Sequence, residues 1–227
     1  MNIVTSSLTC IFLLLCPASF ALAKSQHSFS IGTSNIHFSQ GDGQLQGQMT
    51  PTGILATGKD TKTVSISYDY FLDDTWSIHF AFGIPPKVEL YAAGDGAALG
   101  KVGDARSISP GVLALYHLDL NETFSIYTGA GVNYSTFSDA TVTESYTQSF
   151  FGTSSDVELE DHIGGIFKFG AQINFGQRWF IDLSYAKYQS QLKSTITTET
   201  PMVGDVVRSI KTDMDPEVTT LLFGYRF

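Results

Sequence analysis

Beyond residue 23 this sequence has no cysteine. Both cysteines of the chain, Cys10 and Cys16, stand before that point. A disulfide framework, a thiolate metal site and a thiol nucleophile are therefore excluded from the body of the protein. Charge is scarce as well. Charged residues make up 15% of the chain, against about a quarter in an ordinary soluble domain, so some large surface does without them. Cations are the scarcer sign: 13 Lys and Arg stand against 22 Asp and Glu, for a formal net charge of −9. That balance argues against a nucleic-acid partner, which needs clustered Lys and Arg to meet phosphate. After residue 23 no apolar run approaches the roughly 20 residues of a spanning helix, and helical periodicity is poor. Recognisable catalytic patterns are also missing. None of the histidines, His27, His37, His79, His117 and His162, has zinc-binding spacing, and no serine sits in a nucleophile elbow. No enzyme activity, cofactor or metal is expected.

Residues 1–23 carry no charged side chain. They contain an apolar core at Ile11-Phe12-Leu13-Leu14-Leu15, the breaker Pro17, and the small-residue pattern Ala21-Leu22-Ala23 before Lys24. This is the layout of a cleavable secretory leader, although the usual basic residue near the start is missing. The expected organisation is a signal peptide over 1–23 and one domain over 24–227.

What the rest of the chain does have is period-two alternation and many aromatics, 17 Phe, 10 Tyr and 2 Trp. Phe167, Phe169, Ala171, Ile173 and Phe175 alternate with Lys168, Gly170, Gln172 and Asn174. Trp179, Ile181, Leu183 and Tyr185 alternate with Asp182, Ser184 and Ala186. The same pattern recurs over 63–70, 76–83 and 124–134, and over the last ten residues, where Val218 and Leu222 break it. Residues 27–38 and 107–118 read as strands with a less certain face. This gives eight strands. Short turns fall at Asp73-Asp74, Asn121-Glu122 and Gly176-Gln177, and long connections at roughly 39–61, 83–106, 135–162 and 191–216. An even strand count with short turns at one end and long loops at the other is the pattern of an outer-membrane barrel. A soluble barrel would turn its apolar face inward and carry many Lys and Glu outside. Here the non-apolar faces are Gly, Ser, Thr, Asn and Gln, which suit a narrow lumen. The expected fold is an all-β, eight-stranded antiparallel transmembrane barrel.

Five segments resemble the outer membrane protein W family, which includes alkane-uptake porins. They are Phe82-Gly83-Ile84-Pro85-Pro86-Lys87, Gly103 to Pro110, Tyr127-Thr128-Gly129-Ala130-Gly131-Val132-Asn133-Tyr134-Ser135-Thr136-Phe137, Trp179 to Tyr188, and Met214-Asp215-Pro216 with the ending Phe223-Gly224-Tyr225-Arg226-Phe227. The third is close to the family's Y-x-G-A-G-x-N-Y-T-x-F, and the last matches D-P…G-Y-R-F. The family usually has two prolines entering the fourth strand, whereas here only Pro110 follows Ser109. The resemblance implies a narrow channel in the bacterial outer membrane that passes small hydrophobic molecules and releases them sideways. The alternative is a sealed barrel acting through its surface, with a lipid-modifying enzyme a distant third.

Parity places Asp69, His79, Tyr127, Lys168, Asp182 and Arg226 in the lumen, as a paired network or as a plug that forces solute out sideways. Pro85, Pro86 and Pro110, which cannot donate ladder bonds, mark either a lateral opening or plain strand ends. The acidic third loop, with Asp139, Glu144, Asp156, Glu158, Glu160 and Asp161, reads as a solvated surface. Phe223, Tyr225 and Phe227 form the terminal assembly signal. Expected partners are outer-membrane lipid and lipopolysaccharide, a small hydrophobic solute and the barrel-insertion machinery; the oligomeric state is left open. Phe227→Ala is expected to lower the amount of folded barrel in the outer membrane, measured as the heat-modifiable band in membrane fractions.

Overall fold

The computed structural model describes residues 26–227. The leader expected over 1–23 lies outside the described residues. In chain order the strands are β1 (His27–His37), β2 (Gln40–Gln44), β3 (Gln46–Gly47), β4 (Ile54–Gly58), β5 (Thr61–Phe71), β6 (Trp76–Gly83), β7 (Lys87–Gly94) and β8 (Lys101–Ile108). They continue as β9 (Gly111–Asp119), β10 (Phe124–Val142), β11 (Ser154–Leu159), β12 (His162–Phe175), β13 (Trp179–Tyr188), β14 (Gln191–Thr200), β15 (Gly204–Asp213) and β16 (Glu217–Arg226). A short helix, α1 (Glu144–Ser149), precedes β11.

Eight of these strands close on themselves in the order β1, β5, β6, β9, β10, β12, β13, β16, every neighbour antiparallel. Closure runs from Ser28 opposite Arg226 to His37 opposite Glu217 on one seam. The two chain ends meet there, where the Phe227 amide donates to the His27 carbonyl at 3.0 Å. The short turns form for local reasons. The Asp73 carboxylate accepts from the amides of Thr75 and Trp76, both at 2.7 Å, and the Asn121 side chain accepts from Thr123 and Phe124, both at 2.9 Å. Such Asx turns reverse the chain within a few residues. Gly176 takes φ 65°, a left-handed value that glycine tolerates without strain.

The barrel is apolar outside and polar inside. Phe169, Leu183, Leu221 and Phe223 are about half exposed on the outer wall, while Lys168, Asp182, Ser184 and Ser30 between them are buried. Aromatic side chains gather at the short-turn rim. Trp179 stacks on Phe223 at 5.0 Å and meets Tyr225 edge-on at 4.6 Å, and Trp76 meets Tyr116 at 5.2 Å. An exposed belt of this kind is stable only against lipid, where aromatic rings settle at the interfaces.

At the other end the structure departs from the expected loops. Their 39–61, 83–106 and 191–216 segments are largely strands, not irregular connections. The fifth barrel strand, read as ending near 134, runs on to Val142, with a bulge between Ser138 and Thr141 where Asp139 takes φ 51°. A bulge adds twist and re-aims a strand, and β8 pairs with this upper part of β10 in place of β9. From β8 one sheet continues through β7 and β4 to β2; a second sheet runs β11, β14, β15, β3. Beside Thr212 on β15, the Gly43 amide of β2 donates to the threonine hydroxyl at 2.9 Å. Between the sheets Leu45, Ile54, Ala56, Tyr146, Phe150, Ile196 and Ile210 form a separate apolar core. The fourth barrel strand begins at Gly111, not at 107, because Pro110 lacks the amide that would continue the ladder.

Arginine placed at Phe169 or Leu183 is expected to cost about 2–4 kcal/mol if these positions face mid-bilayer. Denaturant titration of refolding into vesicles measures this, and a neutral result would mean that the two faces are interchanged.

Candidate functional site

The lower half of the lumen is filled by side chains that bond to one another. Asp69 accepts from the Ser28 hydroxyl at 2.9 Å and lies 2.6 Å from His79 Nδ1. Lys168 Nζ stands 2.9 Å from His79 Nε2. Lysine can only donate, so Nε2 is the acceptor and Nδ1–H points at Asp69. On the other side of the lumen Asp182 accepts from the Tyr127 hydroxyl at 3.0 Å and from Gln172 at 3.1 Å. Arg226 donates to Gln172 at 2.7 Å and to Asn174 at 2.8 Å, with its guanidinium over the Phe180 ring at 4.5 Å. The two halves meet where Lys168 lies 5.7 Å from the Tyr127 ring centre. The structure thus brings Asp69, His79, Tyr127, Lys168, Asp182 and Arg226 into one connected group.

Packing this group into eight strands needs room, and two glycines supply it. A side chain at Gly170 would fall 2.5 Å from the Tyr127 ring, and one at Gly224 would fall 2.1 Å from Phe180. The space left within the network is about 10 Å³, room for one water at most. Ser77 and His117, 2.8 Å apart, are also buried in this lower lumen, away from the bilayer face.

Above Lys168 and His79 the lumen opens into a cavity of about 170 Å³. Its lining differs from the floor. Ile36, Phe38, Val88, Leu90, Leu192 and Leu222 supply apolar wall, and a set of hydroxyls interrupts it. Those hydroxyls bond mainly to each other: Ser34 lies 2.6 Å from Ser65 and 2.7 Å from Thr220, and Ser109 lies 2.9 Å from Ser135. Sequence parity missed the apolar wall. The one signal for it was the break in alternation at Val218 and Leu222, both of which line the cavity. The other apolar wall residues named come from β1, β7 and β14 or the short links beside them, whose faces were not legible.

Beside the cavity the ladder between two barrel strands is interrupted. Strands β6 and β9 pair from Trp76 opposite Tyr116 only as far as Ala81 opposite Gly111. Above that, residues 82–84 pair toward β5, with the Ile84 amide donating to the Val64 carbonyl at 2.9 Å, while Pro110 bonds toward β10 through the Tyr134 amide at 3.1 Å. Backbone contact across the gap resumes where Ser107 donates to the Pro86 carbonyl at 3.1 Å and Lys87 stands opposite Arg106. Phe82 and Ile84, about half exposed outside, also line the cavity. Pro86 lines it too, and Pro85 and Pro110 stand at the margins of the gap. Its upper edge is clamped by charge: Asp104 bonds Lys101 at 2.8 Å and Lys87 at 2.9 Å. Burial raises the Asp104 pKa, but those two ammonium groups and Thr141 outweigh it and bring it down to about 2.

The acidic residues of the third loop do not converge. Asp139 pairs with Arg106, Glu160 with Lys193, and Asp161 accepts from Tyr134. No group of three or more metal-binding side chains occurs among the described residues. Phe223 and Phe227 are exposed on the outer wall, and Tyr225 accepts from Arg178 at 2.7 Å.

A closed antiparallel ring, greasy outside, with one end in short turns and the other in a folded cap, defines a bacterial outer-membrane β-barrel. A sequence profile of the OmpW family matches residues 28–227, and the chain belongs to that family. It is similar to the dibenzothiophene metabolism operon protein PahQ of Pseudomonas aeruginosa, 27% identical over 227 residues and 96% of each chain. It is also similar to outer membrane protein W of Vibrio cholerae, 28% identical over 182 residues and 76% of each chain. Among solved structures it is similar to OprG from Pseudomonas aeruginosa, with a TM-score of 0.77 at 19% identity, covering 90% of this chain and 97% of that one. The bilayer structure of AlkL gives a TM-score of 0.64 at 18% identity, covering 100% and 97%. These two likenesses carry the fold.

Asp182→Ala is expected to destabilise the folded barrel by about 2–4 kcal/mol, because it strands two donors in a dry lumen. Tyr127→Phe removes one of those bonds and should cost less. Parallel unfolding titrations of the two variants check the order.

Proposed function

We propose that the protein is a channel for small hydrophobic molecules, which enter from the cap side, occupy the upper cavity and leave sideways into the membrane between β6 and β9. The single observation that carries this reading is the union of a closed floor with an open flank. Below the cavity the network leaves space of only about 10 Å³, while Phe82 and Ile84 belong both to the cavity lining and to the outer wall. A solute that reaches Lys168 cannot continue along the axis without displacing paired, buried charges. Doing so would leave groups unpaired in a medium where that is costly. The flank presents apolar side chains and no pairing between β6 and β9 beyond Ala81, so it offers the lower barrier. Pro85, Pro86 and Pro110 keep the gap unzipped, since none of them can donate a ladder bond.

The physical gain lies in the outer leaflet. Its crowded sugar and charge slow apolar solutes, and a dry path through the wall carries them past that layer. The relationship to PahQ, named for dibenzothiophene metabolism, fits an aromatic or similarly apolar cargo.

The test is uptake of an apolar aromatic reporter, such as naphthalene, by cells that produce the barrel, cells that lack it, and cells producing Ser65→Trp. Ser65 lines the cavity beside the gap, so a bulky ring there should reduce uptake to the level of cells without the barrel while leaving folded protein in the membrane. Equal uptake in all three strains would favour a sealed barrel acting through its surface.

A further inference from the structure

The floor of the cavity carries an asymmetry that a purely apolar cargo leaves unused. Lys168 is buried, and it lines the cavity. Its ammonium group has three donors, and the described residues supply one acceptor, His79 Nε2 at 2.9 Å. The two lumen carboxylates nearby are occupied elsewhere. Asp69 bonds Ser28 and His79, and Asp182 bonds Tyr127 and Gln172. Neither makes a direct ion pair with Lys168 among the described residues. One face of the ammonium group is therefore turned to the cavity, below walls of Ile36, Val88, Leu113 and Leu222.

We infer that the cavity binds amphiphiles ending in a carboxylate, with the carboxylate on Lys168 and the apolar body extending up the lumen toward the flank between β6 and β9. The inference rests on the channel reading and specifies its cargo. A hydrocarbon lying on this floor would cover two charged donors without pairing them. A carboxylate oxygen pairs with them in a water-poor site, where a charge-assisted bond is short and strong. Orientation follows from strand geometry. Ala81, at the lower edge of the gap, is two residues above His79 on β6, a rise of about 7 Å. A chain anchored at Lys168 thus places its tail beside the opening through Phe82 and Ile84. The carboxylate is kept apart from Asp69 by the His79 ring, which spans from the lysine to that aspartate.

The experiment compares decanoate with methyl decanoate, matched in chain length but differing in charge, by titration calorimetry on the full barrel in nanodiscs. Empty nanodiscs provide the correction for partition into lipid. Wild type should bind decanoate more tightly than the ester. In Lys168→Met the ratio of the two affinities should fall about 10- to 100-fold, the value of one hydrogen bond to a charged group. Lys168→Arg should keep the preference. Independently of any variant, carboxyl-labelled decanoate bound to the wild-type barrel should show a through-space magnetic-resonance contact with the Lys168 ammonium nitrogen. Equal affinity of wild type for acid and ester, or absence of that contact in a decanoate-bound barrel, overturns the inference and leaves the channel reading standing. Absence of binding by both compounds overturns the inference and the cavity's assignment as a cargo site together.

Discussion

Hydrocarbon offers no hydrogen bonds, and the rest of this structure follows from that constraint. Every backbone amide and carbonyl at membrane depth must find a partner within the protein. The chain meets the demand by closing eight strands into a ring, with β16 returning to β1 so that the last residue bonds the first strand. Closure at this strand number fixes a bore just wide enough to be filled by side chains. The contents of the bore are then determined by pairing. Two carboxylates, one lysine, one arginine and one histidine interlock over the short-turn half, with glycines at 170 and 224 leaving room for the rings of Tyr127 and Phe180.

The same constraint governs where the ladder between β6 and β9 can stop. A gap in the ladder exposes backbone, so it must be short, and it must sit near the end of the bilayer or be covered by side chains. The proline-bounded gap over 82–85 meets these conditions: Ile84 and Pro110 pass their remaining bonds to β5 and β10, and the Lys87–Asp104–Lys101 cluster ties the strands together again immediately above. The cap has a different role. Its interior is packed with Tyr146, Phe150, Ile196 and other apolar side chains, and the buried guanidinium of Arg208 lies over the Phe150 ring at 4.1 Å.

The fold was largely legible in the sequence because strict alternation is forced wherever one face meets lipid and the other a narrow polar bore. Strands β5, β6, β12 and β13 obey it, and so the ring and its short turns could be read from the sequence. Legibility failed where that contrast disappears. Strand β9 buries Leu113 and Leu115 while exposing Val112 and Leu118, so neither face announces itself. The cap strands meet water on one side and their own small core on the other, and their Gly- and Thr-rich sequences read as loops. The upper cavity was hidden for a related reason: a hydrophobic pocket inside an inverted barrel puts apolar residues on both faces, and only Val218 and Leu222 betrayed it. The pairing of Lys168 with His79 joins residues 89 apart in the chain, a distance that only closure of the ring abolishes.

The absence of cysteine beyond residue 23 makes a direct test of the open flank practical. A small fluorophore is attached to a single cysteine placed at Ser107, which lines the upper cavity, or at Ser154, exposed on β11 in the cap. The barrel is then reconstituted in lipid with brominated acyl chains. If the cavity communicates sideways with the bilayer, the bromines quench the fluorophore at 107 strongly and spare the one at 154. Equal, weak quenching at both positions would show that the wall is closed and would contradict the account.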